Sequence, residues 1–288
     1  MMKRLFFSIA LLMAATPVHA QAYRAIQGDM ITIEKELPKG ALTLHCFGKT
    51  WPSIRTETGL AKAWIGVDLK TRPGTYPLKW SVTTPKSGTV QFADKLSVSK
   101  GEFRISHITV DKKMAVFGKE ELKRIRADQK RLKNSYIAKV DAQPDLKISG
   151  MPVEGIMSTP FGAQRYVNGE PRSPHSGIDI AAPEGTPVIT PLAGRVLVVS
   201  EMYLNGNTVA IGHGHGVVSV FSHLKAVSVK EGDWIEVGSE IGEVGKTGRA
   251  TGPHLHWGVR FRQARINPVS MIPVKEKQHS PTSAPPRL

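Results

Sequence analysis

Apolar positions in the first third of the chain come in short runs broken by turn residues. Met30-Ile31-Thr32-Ile33, Ala41-Leu42-Thr43-Leu44, Ala63 to Val67, Tyr76 to Trp80 and Leu96-Ser97-Val98 are separated by Pro38-Lys39-Gly40, Pro73-Gly74 and Lys86-Ser87-Gly88. Strands at this spacing predict a small β-sandwich-like domain over residues 21–111. Between Lys112 and Asn134 the period changes: Leu122, Ile125, Leu132 and Tyr136 form one helical stripe. Residues 112–148 therefore read as a linker built on a helix, with Pro144 and Gly150 marking its end. From 149 to 273 the chain is rich in glycine and β-branched residues and almost free of helical periodicity. Strands are legible at Pro187–Thr190, Gly194–Val199, Thr208–Ile211, Gly216–Phe221 and His254–Phe261. Residues 274–288, rich in proline and poor in apolar groups, predict a disordered tail. The fold class expected is mostly β.

The first twenty residues follow a different logic. Lys3 and Arg4 precede an apolar run from Leu5 to Ala15, and Val18 and Ala20 are the small residues before a cut after Ala20. This predicts a signal peptide over 1–20 and an exported protein, in the periplasm or outside the cell. The run is too short to span a bilayer, and no later segment supplies a transmembrane anchor. A single cysteine, Cys46, excludes a disulfide scaffold or a cysteine-rich zinc module.

The formal charge of +15 admits anionic partners of several kinds. Nine Lys/Arg against three Asp/Glu lie between Lys112 and Asn134, so the excess is concentrated on the linking helix. An anionic envelope surface is the partner expected for it. A nucleic-acid partner is not expected, since a secretory signal is present and no basic motif is interleaved with aromatics.

Six of the ten histidines lie between 151 and 272. His254-Leu255-His256 opens a strand, where residues two apart share a face, so two imidazoles project side by side. His175 and Asp179 share a face if their segment is extended, and His223 ends the run Val217–Ser222. Two His and one Asp make a zinc site with its fourth position left to water, and five candidates exist for three places. No His-Glu-x-x-His, Gly-x-Ser-x-Gly or complete phosphate-binding loop competes with this reading.

The stretch Pro174-His175-Ser176-Gly177-Ile178-Asp179-Ile180-Ala181-Ala182-Pro183 resembles the opening of the LytM/lysostaphin-type zinc metallopeptidase domain. So do Gly206-Asn207-Thr208-Val209, Ser222-His223-Leu224 and the closing Ile241 to His256, in order over about 120 residues. The resemblance implies an antiparallel β domain with a groove that hydrolyses peptide bonds in peptidoglycan cross-links or stem peptides. It also implies one Zn2+ held by His175, Asp179 and His256, with His223 and His254 as the catalytic pair. Arg165, Arg172, Asn207 and Arg249 are candidate substrate contacts; His213 and His215 fall outside the pattern and read as surface or turn residues. Many members carry Glu two residues after the last ligand, where this chain has Gly258. The alternative is a silent or autoinhibited wall-binding regulator that activates an amidase, as some relatives do; five filled positions argue against it.

Overall fold

The computed structural model describes residues 20–272 apart from Ser87, Gln143, Pro144, Asp145 and Lys147. The expected signal peptide and tail lie outside the described residues, save Ala20.

Before the helix run β1 (Ala22–Ile26), β2 (Met30–Lys35), β3 (Ala41–Cys46), β4 (Lys49–Trp51), β5 (Ser53–Arg55), β6 (Ala61–Gly66), β7 (Gly74–Thr84), β8 (Gly88–Ser99) and β9 (Ile105–Ile108). Two sheets result, β1-β8-β7-β3-β4 and β2-β6-β5, in the sandwich-like arrangement expected. Alternation is regular in the two long strands: Leu78, Trp80 and Val82 of β7 and Leu96 and Val98 of β8 point inward and are buried, whereas every residue of β6 is buried. Of these strands, β1, β4, β5 and β9 escaped the sequence pattern because they are short and half-polar, and tertiary pairing completes them.

The helix α1 (Lys119–Ser135) is built from Glu, Lys, Arg and Leu without Gly or Pro. Glu120 and Glu121 in its first turn complement the dipole that an uncapped start at Gly118 leaves exposed. Ile125 and Leu132 are buried as the stripe requires, but Leu122, expected beside them, is exposed. The contact face narrows toward the helix start, so the stripe is shorter than its sequence period.

The C-terminal region holds β10 (Ile156–Thr159), β11 (Gln164–Val167), β12 (Glu170–Pro171), β13 (Ile178–Ala181), β14 (Pro187–Ile189), β15 (Gly194–Met202) and β16 (Gly206–Gly212). It continues with β17 (Val217–Leu224), β18 (Ala226–Val227), β19 (Trp234–Ile235), β20 (Glu240–Glu243), β21 (His254–Phe261) and β22 (Ala264–Ile266). Its main sheet runs β10-β13-β21-β17-β16-β15-β19, with β22 paired to β21. Leu255, Trp257, Val259 and Phe261 of β21 enter the principal core, which also contains the N-terminal tryptophans Trp51, Trp64 and Trp80. The opposite face of the sheet is shared. Val198, Ala210, Val218 and Val220 are covered by Leu132 of α1, and the remainder lies open as a groove.

Candidate active site

Strand register assembles the centre. In the antiparallel pairing of β13 with β21, Asp179 lies opposite His256 and Ala181 opposite His254; β17 places Ser222 on the other side of His256. With Leu255 and Trp257 committed to the core, alternation sends His254 and His256 to the groove face. Gly177 permits this approach, since a Cβ there would lie 2.4 Å from the Trp257 carbonyl oxygen and 2.9 Å from His256 Cε1. His175 sits in the loop before β13, where its main chain exchanges hydrogen bonds with Gly162 and Ala163, and its ring reaches the same point.

The alternation that places His254 fails for His223. From buried Phe221 it would aim His223 into the core. A left-handed backbone at His223, φ 67°, and a break in the β16–β17 register turn the ring back to the groove. Its centroid then stands 4.7 Å from that of His254 and 6.2 Å from that of His256.

Backbone carbonyls fix the tautomers. His175 Nδ1 donates to Pro160 O at 3.1 Å, His223 Nδ1 to Thr247 O at 2.8 Å and His254 Nδ1 to Gly252 O at 2.9 Å. A carbonyl only accepts, so the Nδ1 proton of each ring is fixed there, and the neutral His175 and His223 rings present Nε2 as a lone pair. Burial, then the neighbouring His254 and His256, pushes the His223 imidazole down to about 3. Burial first pushes His175 down to about 4, against the opposing pull of Asp179. Burial alone would raise Asp179, but its contacts with the His175 and His256 imidazoles outweigh it and hold the carboxyl far below its usual range.

The three ligand atoms form a nearly equilateral triangle. His175 Nε2 lies 2.9 Å from Asp179 Oδ1 and 2.9 Å from His256 Nδ1, and His256 Nδ1 lies 2.8 Å from Asp179 Oδ1. Two of these atoms are acceptors without a proton, and His256 can place one proton toward only one of them. Such a set is completed by a cation. Tetrahedral zinc with bonds of about 2.0–2.1 Å spaces its ligand atoms about 3.3 Å apart, a few tenths more than here. The donor set of two imidazoles and one carboxylate therefore fits zinc, and Arg165 Nη2 takes the other oxygen, Asp179 Oδ2, at 2.5 Å.

A cavity of about 240 Å³ opens on this centre, lined by Asp179, His223 and His254 and rimmed by Arg165, Arg249 and Ile108. The segment after β9 crosses the groove as a strap: Arg172 Nη2 donates to Ala115 O at 3.3 Å from one wall, Arg249 Nη1 to Met114 O at 3.4 Å from the other. Asn207 lies outside the cavity. Its amide is occupied by the Leu224 and Lys225 carbonyls, and with Met114 and Tyr203 it lines an adjoining cavity. His213 is fully buried, bonded to Ala193 O and Ser219 Oγ at 2.9 Å each, which corrects the surface or turn expectation. His215 occupies a turn and packs on Trp64. Sequence reasoning missed Thr247, whose carbonyl orients His223 and whose hydroxyl donates to Leu224 O. It also missed Ser158, whose hydroxyl donates to Asp179 O. Residue type carries no signal for backbone contacts of this kind.

Residues 173–268 match the family described as Peptidase family M23. A Pseudomonas aeruginosa protein of the peptidase M23 family, known from its crystal structure, is 31% identical, with 86% of this chain and 94% of that chain covered and a TM-score of 0.67. The chain belongs to peptidase family M23. The likeness extends beyond residues 173–268 to strands that precede them, because that alignment takes in 86% of the chain. Over 121 residues the chain is 41% identical to the DD-carboxypeptidase/endopeptidase Mpg of Neisseria meningitidis, covering 42% of this chain and 28% of Mpg. Over 111 residues it is 40% identical to the peptidoglycan DD-endopeptidase ShyA of Vibrio cholerae, covering 36% of this chain and 26% of ShyA. The matches span only about a quarter of the length of these M23 relatives.

Proposed function

We propose that this chain is an exported zinc-dependent endopeptidase that cleaves peptide bonds in peptidoglycan cross-links or stem peptides. The observation that carries the reading is the triangle of His175, Asp179 and His256 with two further imidazoles, His223 and His254, at its edge. Zinc held there supplies Lewis acidity, polarising a carbonyl oxygen and acidifying water. The remaining chemistry belongs to the side chains. His223 and His254 both face the cavity, where a neutral imidazole can take a proton from water and return it to the departing amine nitrogen. The two ring centroids stand 4.7 Å apart, so one ring can move the proton while the other, donating from a protonated ring nitrogen, steadies charge that develops on the carbonyl oxygen. Asp179, held by Arg165, fixes the orientation of both ligand imidazoles.

Export is supported by the pattern of the first twenty residues and by relatives that act on peptidoglycan. Gln21, first after the expected cut, is anchored by hydrogen bonds to Asp94 Oδ1 at 2.7 Å and from Lys95 N at 3.0 Å. Among the described residues no helix is long and apolar enough to cross a membrane. The test is digestion of isolated sacculi by purified protein with mass spectrometry of the released muropeptides. Cleavage is expected from wild type, and His254→Ala should lose it by at least a hundredfold while keeping its zinc. A His254→Ala protein that digests sacculi as well as wild type would falsify the role given to that residue.

A further inference from the structure

The basic rim of the groove is unevenly matched. Arg165 is neutralised by Asp179, and its Nε is buried without a hydrogen-bond partner. Arg172 and Arg249 have no carboxylate within ion-pair distance among the described residues; each reaches only a neutral main-chain carbonyl of the strap, Ala115 O and Met114 O respectively. Burial, then the like charges of Arg165 and Arg172, pushes Arg249 below its ordinary value, although a guanidinium stays charged at any working pH. Arg165 and Arg249 thus line one small cavity in which Asp179 is the only carboxylate among the described residues, and Arg172 lies near enough for its charge to act on Arg249.

From this we infer that Arg249 and Arg172 form a subsite for a carboxylate of the peptide substrate, within one residue of the scissile amide. The inference rests on the peptidase reading and gives it a substrate preference. Arg249 lines the same small cavity of about 240 Å³ as His223 and His254, so a group held by its guanidinium lies beside the reacting amide rather than in a distant part of the groove. A guanidinium presents two parallel donors, the geometry a carboxylate accepts and a lone carbonyl uses only in part. The Met114 and Ala115 carbonyls are placeholders: they satisfy one donor on each arginine at long distance and can be displaced by a charged acceptor. Arg165 is excluded from this role because Asp179 already holds it.

Two kinds of carboxylate satisfy this chemistry, the free α-carboxylate of a terminal residue and a side-chain carboxylate beside the scissile bond. The experiment separates them. Zinc-loaded full chain is given a stem-type peptide ending in D-Ala-D-Ala as free acid and as carboxamide, and a cross-linked dimer with its neighbouring side-chain carboxylate free or amidated. Amidation in at least one pair is expected to lower kcat/KM roughly tenfold to a hundredfold, chiefly through KM, the range expected for charge-assisted hydrogen bonds. Arg249→Gln should collapse the acid-to-amide ratio toward unity, and Arg249→Lys, which keeps the charge and loses the fork, should restore part of it. Equal cleavage of acid and amide by wild type in both pairs overturns the subsite and leaves the peptidase reading intact. Absence of cleavage of all four substrates by wild type overturns both. Retention of the full ratio in Arg249→Gln removes Arg249 from the subsite and sinks the inference.

Discussion

His213 illustrates what a single buried imidazole contributes when it does no chemistry. It is wholly enclosed and bonded at both ring nitrogens, and burial, its main cause, pushes it down to about 4. In the unfolded chain the same group titrates near 6.5, so below that pH the unfolded state binds the proton first. Stability contributed by the neutral ring is complete above about 6.5, is lost as pH falls toward 4, and loses nothing further below, with a full span of about 3 kcal/mol. The His213 ring resonance should therefore stay unchanged between pH 8 and 5 in NMR spectra of the folded protein. A midpoint near 6.5 would place the ring in water and contradict the fold at Gly212–Gly216. At this scale the sequence is informative where alternation holds and silent where it breaks. His254 and His256 share a face because β21 is regular, and Asp179 faces them for the same reason. His223 reaches the groove only through its left-handed backbone, and Arg165 meets Asp179 only because β11 lies across the entry to β13. Neither depends on a residue type that a one-dimensional pattern could register.

The helix α1 separates two properties that its sequence mixes. Leu132 packs on Val198, Met202, Ala210, Val218 and Val220, while Lys119, Lys123, Arg126, Lys130 and Lys133 lie exposed on the other side. Leu132→Ala should lower unfolding free energy by about 2–4 kcal/mol, the cost of a cavity in a packed contact, as read by denaturant titration. Replacing Lys119, Lys123, Lys130 and Lys133 together by Gln should change stability by less than about 1 kcal/mol, because these charges are solvated. If the basic face draws the enzyme to an anionic envelope, as we propose, the fourfold variant should bind sacculi more weakly at low ionic strength. Its binding should also vary less with salt than that of wild type, since exposed charges are screened beyond about 10 Å at 0.1 M. Unchanged binding and salt dependence would leave the face with no role at the wall. The helix itself was legible from its apolar period and its composition. Its true limits were not, because the residues from 112 to 118 carry similar charge but are held across the groove by contacts with both walls.

At the scale of the whole molecule, the N-terminal strands and the peptidase sheet share one core. Trp51 packs against Phe261 with ring centroids 5.1 Å apart, a Cβ on Gly66 would meet Ile266 Cδ1 at 2.9 Å, and Arg265 is bound by Asp68. Turn and strand signals located both regions in the sequence, but nothing in either pattern revealed that their apolar faces are continuous. That continuity bears on how the strap can be tested. Its two ends are pinned to the peptidase region itself: β9 pairs in parallel with β11, Asn168 closes two hydrogen bonds to the Val110 main chain at 2.9 and 3.0 Å, and α1 lies on β15 and β16. Removing residues 21–148 would strip the strap and the shared core together, exposing Phe261 and Ile266, so a loss of activity in that truncation would report unfolding. Replacing residues 111–117 by a Gly/Ser linker of equal length leaves both anchors and the core in place. It keeps main-chain carbonyls at 114 and 115 but removes the buried Ala115 side chain and the packing of Phe117 on Tyr203 that hold them in place, so their contacts with Arg172 and Arg249, worth about 1–3 kcal/mol together, yield more readily to substrate. The expected outcome is a KM for acidic stem peptides lower by roughly tenfold, with the melting temperature within a few degrees of wild type. A KM that is unchanged or higher in a variant that melts like wild type would mean that substrate passes beneath the strap, and that the Met114 and Ala115 carbonyls stand outside its path.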